Sequence, residues 1–411
     1  MNQTSQTVLF ISHDASRTGA PIFLLRFLRW FRQNHHIQFR VLVGHSGELL
    51  SDFESLGLVD SFEPNPTLIY RILRRLNLNG PRRSDHLASL RRKLLASDIS
   101  LIYSNTMASG NILDFLSFLD CPVICHVHEL ESAICDSGIE NLNFTKKRAS
   151  GYIAVSWAVK TNLIEKHGIS EDTIRMVHGF IPASECKHST TVNSRAMVRR
   201  ELGIPLESKL VCACGSIEPR KGVDLFLQVA DKVAKAYQRG PVHFMWIGGR
   251  PEVVSRMRKQ ARFSSLRDIA HFIGPKPDVA LYYDASDIFL LPSREDPFPL
   301  VMMEAALREM PIVCFDKSGG AAEFIEGDAG LVVPGFDVDQ MAQKVVGLLS
   351  SPDLCKRLGV NARQKVLNRH DIGVGAPQIA AIIQGALLMR ENRQDAANWL
   401  QTEQEITTKE T

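Results

Sequence analysis

Ser293-Arg-Glu-Asp-Pro-Phe-Pro-Leu-Val-Met-Met-Glu304 is the stretch in which residue type and spacing point most directly to chemistry. An apolar strand ends at Pro292 and a short loop follows. Pro299 is expected at the first helical position, where its missing N–H has no intrahelical partner. The backbone N–H groups of Leu300, Val301 and Met302 would then point outward from the positive helix end, a site suited to a diphosphate. Two carboxylates flank it: Asp296 in the loop and Glu304 inside the helix. A carboxylate can accept two hydrogen bonds from a vicinal diol. The plain alternative is an acidic loop and a solvated helix residue. The apolar run MMEAAL around Glu304 argues against it.

Two further loops carry matching chemistry. Gly215-Ser-Ile-Glu-Pro-Arg-Lys-Gly222 follows the apolar run KLVCAC and brings Ser216, Arg220 and Lys221 to a turn. Alone, such a turn reads as solvated surface charge; beside the first stretch it reads as a phosphate-neutralising loop. Lys317-Ser-Gly-Gly-Ala-Ala-Glu323 follows PIVCFD, and its Gly319 and Gly320 let a backbone approach an anion closely.

In the first half, Ser12–Pro21 follows the first strand and precedes a helix, and carries Thr18-Gly19-Ala20 near its end. The run PVICHVHE ends at His128 and Glu129, and Asn105 and Thr106 end another strand on the same rim. His128 is read as a site residue. His126 is expected on the opposite face of the strand, as a satisfied core histidine.

Asp337-Val-Asp339 fits a metal-holding D-x-D pattern, but it follows Pro334-Gly335 and opens the helical run MAQKVVGLL, so N-capping is its expected job. No metal site is read. No Walker A loop or G-x-G-x-x-G fingerprint is present.

These loops need elements to position them. Short β-branched runs (Thr7–Ser12, Phe39–Val43, Leu101–Ser104, Val123–Val127, Tyr152–Ser156) alternate with amphipathic stretches, which indicates parallel sheets covered on both faces. The alternation pauses in a polar stretch near residue 180. It restarts with Lys209–Ser216, Val242–Gly248, Ala270–Ile273, Asp287–Pro292, Pro311–Phe315 and Gly330–Val333. The expectation is an α/β protein of two Rossmann-like, doubly wound domains facing across a cleft. Residues 1–182 form the first domain and 183–375 the second. Residues 376–395 form a helix returning to the first domain, and 396–411 a polar tail. Ligands of open parallel sheets bind beyond the carboxyl ends of the strands, where every loop named above lies.

At 411 residues the chain is long enough for two or three domains, and 45% hydrophobic with 23% charged residues is ordinary for a globular protein. A net charge of +3 does not by itself imply nucleic acid. The 8 cysteines show no metal-ligand spacing and read as reduced core thiols. The start, MNQTSQTVLFISHD, reads as a first strand and not a signal peptide. No segment is expected to reach the roughly 20 apolar residues that span a bilayer. Arg71, Arg74, Arg75, Arg82, Arg83, Arg91, Arg92 and Lys93 form a basic segment, and Arg26, Arg29 and Arg32 a helical stripe beside Phe27, Trp30 and Phe31. Two readings stand: a solvated face, or attraction to an anionic membrane of about 1 kcal/mol per residue. Nucleic acid is disfavoured, because these aromatics follow a helical core pattern.

The motifs resemble those of the retaining family-4 glycosyltransferases, whose fold is the two-domain glycosyltransferase B type, and the resemblance covers nearly the whole chain. Asp296 and Glu304 match the two glutamates of the E-x7-E motif, with aspartate replacing the first. Lys221 matches the lysine of a G-R-…-K-G loop in which Ser216 replaces the arginine and Arg220 stands nearby. The resemblance implies that Asp296 holds donor-sugar hydroxyls and Glu304 the ribose. Gly19, Ser216, Arg220, Lys221, Phe298, Pro299, Leu300, Val301, Gly319 and Gly320 would complete donor binding. His128 would sit beside the donor sugar, making His128, Asp296 and Lys221 the catalytic set, with Asn105, Thr106 and Glu129 on the acceptor side. The implied activity is metal-independent transfer from a UDP- or GDP-type nucleotide sugar to a glycan or lipid-linked acceptor, with retention of configuration. Cell-surface polysaccharide or glycoconjugate synthesis in the cytoplasm, at the inner membrane face, is the implied setting. No cofactor beyond the nucleotide-sugar co-substrate is expected. The alternatives are a nucleotide-sugar epimerase, a sugar phosphorylase, or a non-catalytic nucleotide-sugar-binding subunit.

Overall fold

The computed structural model describes residues 6–64, 83–185 and 193–391, which fall into two compact units. The first takes in the chain up to Val155, Val159–Val177 and the chain from Ala376; the second takes in Ser156–Ala158 and His178–Gly375.

In the first unit, β1 (Thr7–Asp14), β2 (Gln38–His45), β3 (Leu58–Ser61), β4 (Ile99–Ser104), β5 (Val123–Val127), β6 (Gly151–Ala154) and β7 (Ile174–Met176) form one sheet. Their order is β3-β2-β1-β4-β5-β6-β7 and the pairings are parallel. The sequence reading misses β3 and β7, of 4 and 3 residues, which are too short to carry a hydrophobic run. On β1, Val8, Leu9, Phe10 and Ile11 are all fully buried. Successive strand residues point to opposite faces, so both faces of this sheet are covered. Phe10 packs against Phe27 and Phe31 of the helix Gly19–Asn34 with ring centroids 6.1 and 5.9 Å away. Leu9 and Ile11 join the opposite cluster with Leu94, Ile102 and Leu113. Each such side chain contributes about 1.5–3 kcal/mol by burial.

The second unit holds β8 (Lys209–Cys214), β9 (Val242–Ile247), β10 (Ala270–Gly274), β11 (Ile288–Leu291), β12 (Ile312–Phe315) and β13 (Gly330–Val333). They run parallel in the order β10-β9-β8-β11-β12-β13. Its core is built on Phe226, Phe244 and Trp246, with ring centroids 5.8 and 5.3 Å from Phe226. In each sheet the strand order reverses beside a central pair, β1/β4 and β8/β11, and ligands of such sheets bind beyond the carboxyl ends at the reversal. The residues there are the Asp14–Gly19 loop with Asn105–Thr106 in the first unit, and Gly215–Gly222 with Pro292–Asp296 in the second.

The C-terminal helix Ile372–Glu391 corrects one expectation. Its 18-residue window Ile372–Met389 is long and apolar enough to cross a membrane by length and composition, although 44% of it is buried inside the protein. Ala376, Ile379, Ala380, Ile383, Ala386 and Leu387 are buried, and Gln384 Nε2 lies 3.3 Å from His35 Nδ1 at the end of the helix Gly19–Asn34. A core-facing helix needs the same composition as a membrane span. Among the described residues all cysteines are free thiols; Cys186 lies outside them.

Candidate functional site

In the second unit the predicted residues converge at the β8/β11 reversal. Lys221 Nζ donates to Asp296 Oδ2 at 2.6 Å, with only 13% and 6% of the two side chains exposed. Ser293 Oγ donates to the same oxygen at 3.2 Å. Asp296 is fixed from behind, because its N–H donates to Ser318 O at 2.7 Å and Gly320 N–H donates to Pro297 O at 3.0 Å. Thus the Asp296 loop and the Gly319–Gly320 loop run side by side as a short parallel bridge. Gly222, at φ 69°, lets the Lys221 turn close on β11: a Cβ there would lie 2.0 Å from Pro292 O. Gly320 is equally constrained, since its Cβ would lie 2.4 Å from Pro297 O and 2.5 Å from Phe298 Cδ2.

Three details of the expected donor site change. Pro299 is the N-cap (φ −69°, ψ 118°) of the helix Leu300–Ala306 and not its first helical residue. Met302 N–H is already bonded to Pro299 O at 3.1 Å, which leaves Leu300 and Val301 as the outward-facing amides. The Phe298 ring is 6% exposed and packs on His178 and His370, with centroids 5.4 and 5.1 Å away. It serves as a wall, and any donor contact at Phe298 would have to come from its backbone.

Arg220 directs its guanidinium to Glu218 at 3.0 Å, and its carbonyl receives the N–H groups of Arg294 (2.7 Å) and Glu295 (3.2 Å). It braces the Asp296 loop through its backbone. Ser216 is half-buried just beyond Gly215, and Glu304 is half-buried on its helix. Cys214, which the sequence reading leaves in the core, belongs to this group. Burial pushes its thiol up to about 12, with the Glu304 carboxylate adding to that and Lys221 opposing it.

Glu323, three residues beyond Gly320, accepts the N–H groups of Trp157 (2.9 Å) and Ala158 (2.8 Å) and contacts His178 Nε2 (3.2 Å). These partners are 145 to 166 residues away in the chain, so local sequence gives no sign of them.

In the first unit the predicted residues also meet. Asn105 is fully buried, and its Nδ2 donates to Ala20 O at 2.8 Å, tying β4 to the loop at Gly19. Thr106 Oγ1 is bonded to Glu129 Oε1. Glu129 Oε2 accepts His128 N–H at 2.9 Å and Met107 N–H at 3.4 Å. Burial raises the Glu129 carboxyl to about 7, against the lowering effect of those donors. Burial, with His13 adding, holds His128 down to about 3, a neutral imidazole. Asn105 Oδ1 and His128 Nε2 are buried polar atoms without a hydrogen-bond partner, the condition of groups that await a ligand or a water.

His126 is not on the opposite face from His128. Their ring centroids are 4.2 Å apart, because residues two apart on extended backbone share a face. His126 is fully buried, with Nδ1 2.6 Å from Tyr103 Oη, but its Nε2 has no hydrogen-bond partner, so it is a core histidine only half satisfied.

Asp337 caps its helix, accepting Gln340 N–H at 2.9 Å, and Asp339 pairs with Lys232 at 2.6 Å. Of the basic segment, Arg71, Arg74, Arg75 and Arg82 lie outside the described residues. Arg83 pairs with Glu63 (2.7 Å) and Lys93 with Asp60 (2.5 Å), while Arg29 of the helical stripe pairs with Asp52 (2.7 Å).

Two parallel Rossmann-like sheets with loop sites at both reversals are the architecture of the glycosyltransferase B fold. Known proteins agree. Residues 17–185 match the family model Glycosyltransferase Family 4, and residues 194–365 match Glycosyl transferases group 1; the chain belongs to this family. Anabaena Alr3699/HepE, solved in complex with UDP and glucose, superposes with a TM-score of 0.75 at 20% identity, covering 92% of this chain and 99% of that one. A D-inositol 3-phosphate glycosyltransferase of Corynebacterium urealyticum is 30% identical over 183 residues, 42% of each chain. An uncharacterized glycosyltransferase of Haemophilus influenzae is 29% identical over 170 residues, 41% of this chain and 46% of that one. The chain thus spans about half the length of the curated relatives it matches.

Proposed function

We propose that this chain transfers a glycosyl group from a nucleoside-diphosphate sugar to a hydroxyl of a glycan or lipid-linked acceptor, with retention of configuration and without a metal ion. The observation that carries the proposal is the convergence of Lys221, Asp296, the Gly319–Gly320 loop and the Leu300 helix start at one strand reversal. One cation, a carboxylate and outward amides match a diphosphate bonded to a polyhydroxylated ring. The UDP and glucose bound by the Anabaena relative favour UDP as the nucleotide.

In this reading Lys221 and the amides of Leu300 and Val301 stabilise the charge that grows on the leaving diphosphate as the glycosidic bond breaks, an electrostatic contribution fixed in place before reaction. Asp296 holds sugar hydroxyls and Glu304 the ribose. On the first unit, His128, kept neutral, offers Nε2 and Asn105 offers Oδ1 for substrate binding. The acceptor hydroxyl attacks on the face that the diphosphate leaves, and the departing phosphate oxygen takes its proton. Synthesis of cell-surface polysaccharide or glycoconjugate in the cytoplasm is the setting that suits such a donor.

Incubating the protein with UDP-, GDP- and ADP-sugars, with and without a mixed glycan and lipid-linked acceptor fraction, tests the reading. Acceptor-dependent release of nucleoside diphosphate supports it. Conversion of the donor alone to an isomer would show an epimerase instead, and phosphate-dependent sugar release a phosphorylase.

A further inference from the structure

We propose that the outer face of the helix Pro251–Arg262 docks on an anionic lipid surface, with Phe263 as the inserting side chain and Arg256, Lys259 and Arg262 on the headgroup phosphates. These residues lie wholly within the second unit, apart from the basic segment of the first, and the proposal does not depend on which donor is bound.

Phe263 is 83% exposed, more than any other large hydrophobic side chain among the described residues. The turn that carries it is anchored. Phe263 N–H donates to Gln260 O at 3.2 Å, Ser264 Oγ to Ala261 O at 2.9 Å, and Ser265 Oγ to Asp231 Oδ1 at 2.8 Å. Ala261 and Leu266 on either side are 4% and 6% exposed, so the fold buries the neighbours and presents the ring to water. A single exposed phenylalanine is ordinary; the charge around this one is not. Residues three, four and seven apart share a helix face, and Arg256, Lys259 and Phe263 follow that spacing, with Arg262 adjoining. All four are exposed, while Val254, Met257 and Ala261 face the core. Arg256, Lys259 and Arg262 have no ion-pair partner among the described residues. From Arg250 to Asp268 there are 6 basic residues against 2 acidic ones. Glu252 stands in the first turn, at the other end of the helix, and Asp268 lies 3.9 Å from Arg267. Asp231 is balanced by Lys235 at 2.6 Å.

The apolar stripe of this helix is used on its own unit, and Arg258 Nε fastens it to the edge strand β10 by donating to Phe272 O at 2.6 Å. The helix therefore does not sink into a bilayer. Only the Phe263 ring can enter, with the long cationic side chains spread over the phosphates around it. Single-stranded nucleic acid would call for a platform of several stacking rings, and Phe263 stacks on no other ring among the described residues. The helix leaves the carboxyl end of β9, and Phe263 precedes the amino end of β10. Phe263 thus lies at the opposite end of the sheet from Lys221 and Asp296, and a membrane engaged there leaves both uncovered.

The test sediments the full chain with vesicles of phosphatidylcholine alone and of equal parts phosphatidylcholine and phosphatidylglycerol. The expected result is binding to the mixed vesicles and not to the neutral ones, weakened at high salt because exposed charges are screened. Each cation near such a surface contributes about fivefold, so Arg256→Gln/Lys259→Gln/Arg262→Gln should bind about 100-fold more weakly. Phe263→Ser should lose about tenfold and Phe263→Trp should keep the binding, since either aromatic ring can enter the interface. All of these positions are exposed, so the variants should fold and bind nucleoside diphosphate as the unsubstituted chain does. The proposal is overturned if the mixed vesicles are not bound, if neutral vesicles are bound equally well, or if Phe263→Ser and the triple variant bind as tightly as the unsubstituted chain. An oligo(dT) strand whose binding falls in both variants while vesicle binding does not would assign the surface to nucleic acid, and would overturn it as well.

Discussion

Lys221 and Asp296 form a nearly dry ion pair, Nζ to Oδ2 at 2.6 Å, 75 residues apart in sequence and on the two loops that flank the strand reversal of the second sheet. Each residue therefore sets the position and the charge compensation of the other, and neither can be replaced without exposing its partner.

Removing one partner of a buried pair leaves an unpaired charge and costs about 3–5 kcal/mol, whereas removing both is often near neutral. Lys221→Met and Asp296→Asn should each lower stability to urea, while Lys221→Met/Asp296→Asn should recover most of the loss. Turnover should stay low in all three. A double variant no more stable than the singles would show that the pair does not act as a unit.

The two carboxylates should separate by ligand. Glu304→Gln should weaken bare nucleoside diphosphate and raise the donor KM, since the ribose is held alike before and during reaction. Because Lys221 depends on Asp296, the more conservative Asp296→Glu is the better probe of the sugar contact: it keeps the negative charge and should lower turnover while sparing diphosphate affinity. Isothermal titration compares them. Equal weakening of the bare nucleotide by Glu304→Gln and Asp296→Glu would contradict the division of roles.

His370 gives a pH signature. Its Nδ1 lies 3.1 Å from Gly179 O, and burial among Phe298 and Phe324 holds its pKa at about 4, with His178 lowering it further against the Gly179 bond. An unfolded histidine takes its proton near 6.5. Between about pH 6.5 and 4 the unfolded chain binds more protons, so stability is full above that window and falls as pH falls through it, by about 3 kcal/mol at most. His370→Gln should shrink the loss between urea midpoints measured at pH 7.5 and pH 5. An unchanged difference would mean that His370 is not buried neutral.

Activity is expected to persist in EDTA, because the lysine and the helix-start amides supply the positive charge and Asp337 is occupied as a helix cap. Loss of turnover in chelator with recovery in Mn²⁺ or Mg²⁺ would contradict this.

Much of this was legible in the sequence because the strands that carry the loops are fully buried on both faces and read as continuous apolar runs. Their carboxyl ends named Lys221, Asp296, Gly320, Asn105 and His128 directly. What was not legible depends on contacts far apart in the chain. Glu323 meets Trp157 across 166 residues, and the wall role of Phe298 depends on Gly320 and His370 packing against its ring. His126 was misplaced by an error of strand geometry, since two residues' separation returns a side chain to the same face. A helix was expected at 376–395 and runs over Ile372–Glu391; its apolar length was underestimated because its apolar residues are interleaved with glycine, proline and glutamine, which break up a hydrophobic run without adding charge.

The account rests on Lys221 as the diphosphate cation, and calorimetric titration of the unsubstituted protein and Lys221→Ala with UDP, GDP and ADP tests it most directly. The unsubstituted chain should bind at least one of them saturably, and Lys221→Ala should bind it about 10- to 100-fold more weakly, the equivalent of one charge-assisted hydrogen bond of roughly 1.5–3 kcal/mol. Circular dichroism should show the variant folded at the titration temperature. No binding of any nucleotide by the unsubstituted protein, or equal binding by folded Lys221→Ala, would contradict the account.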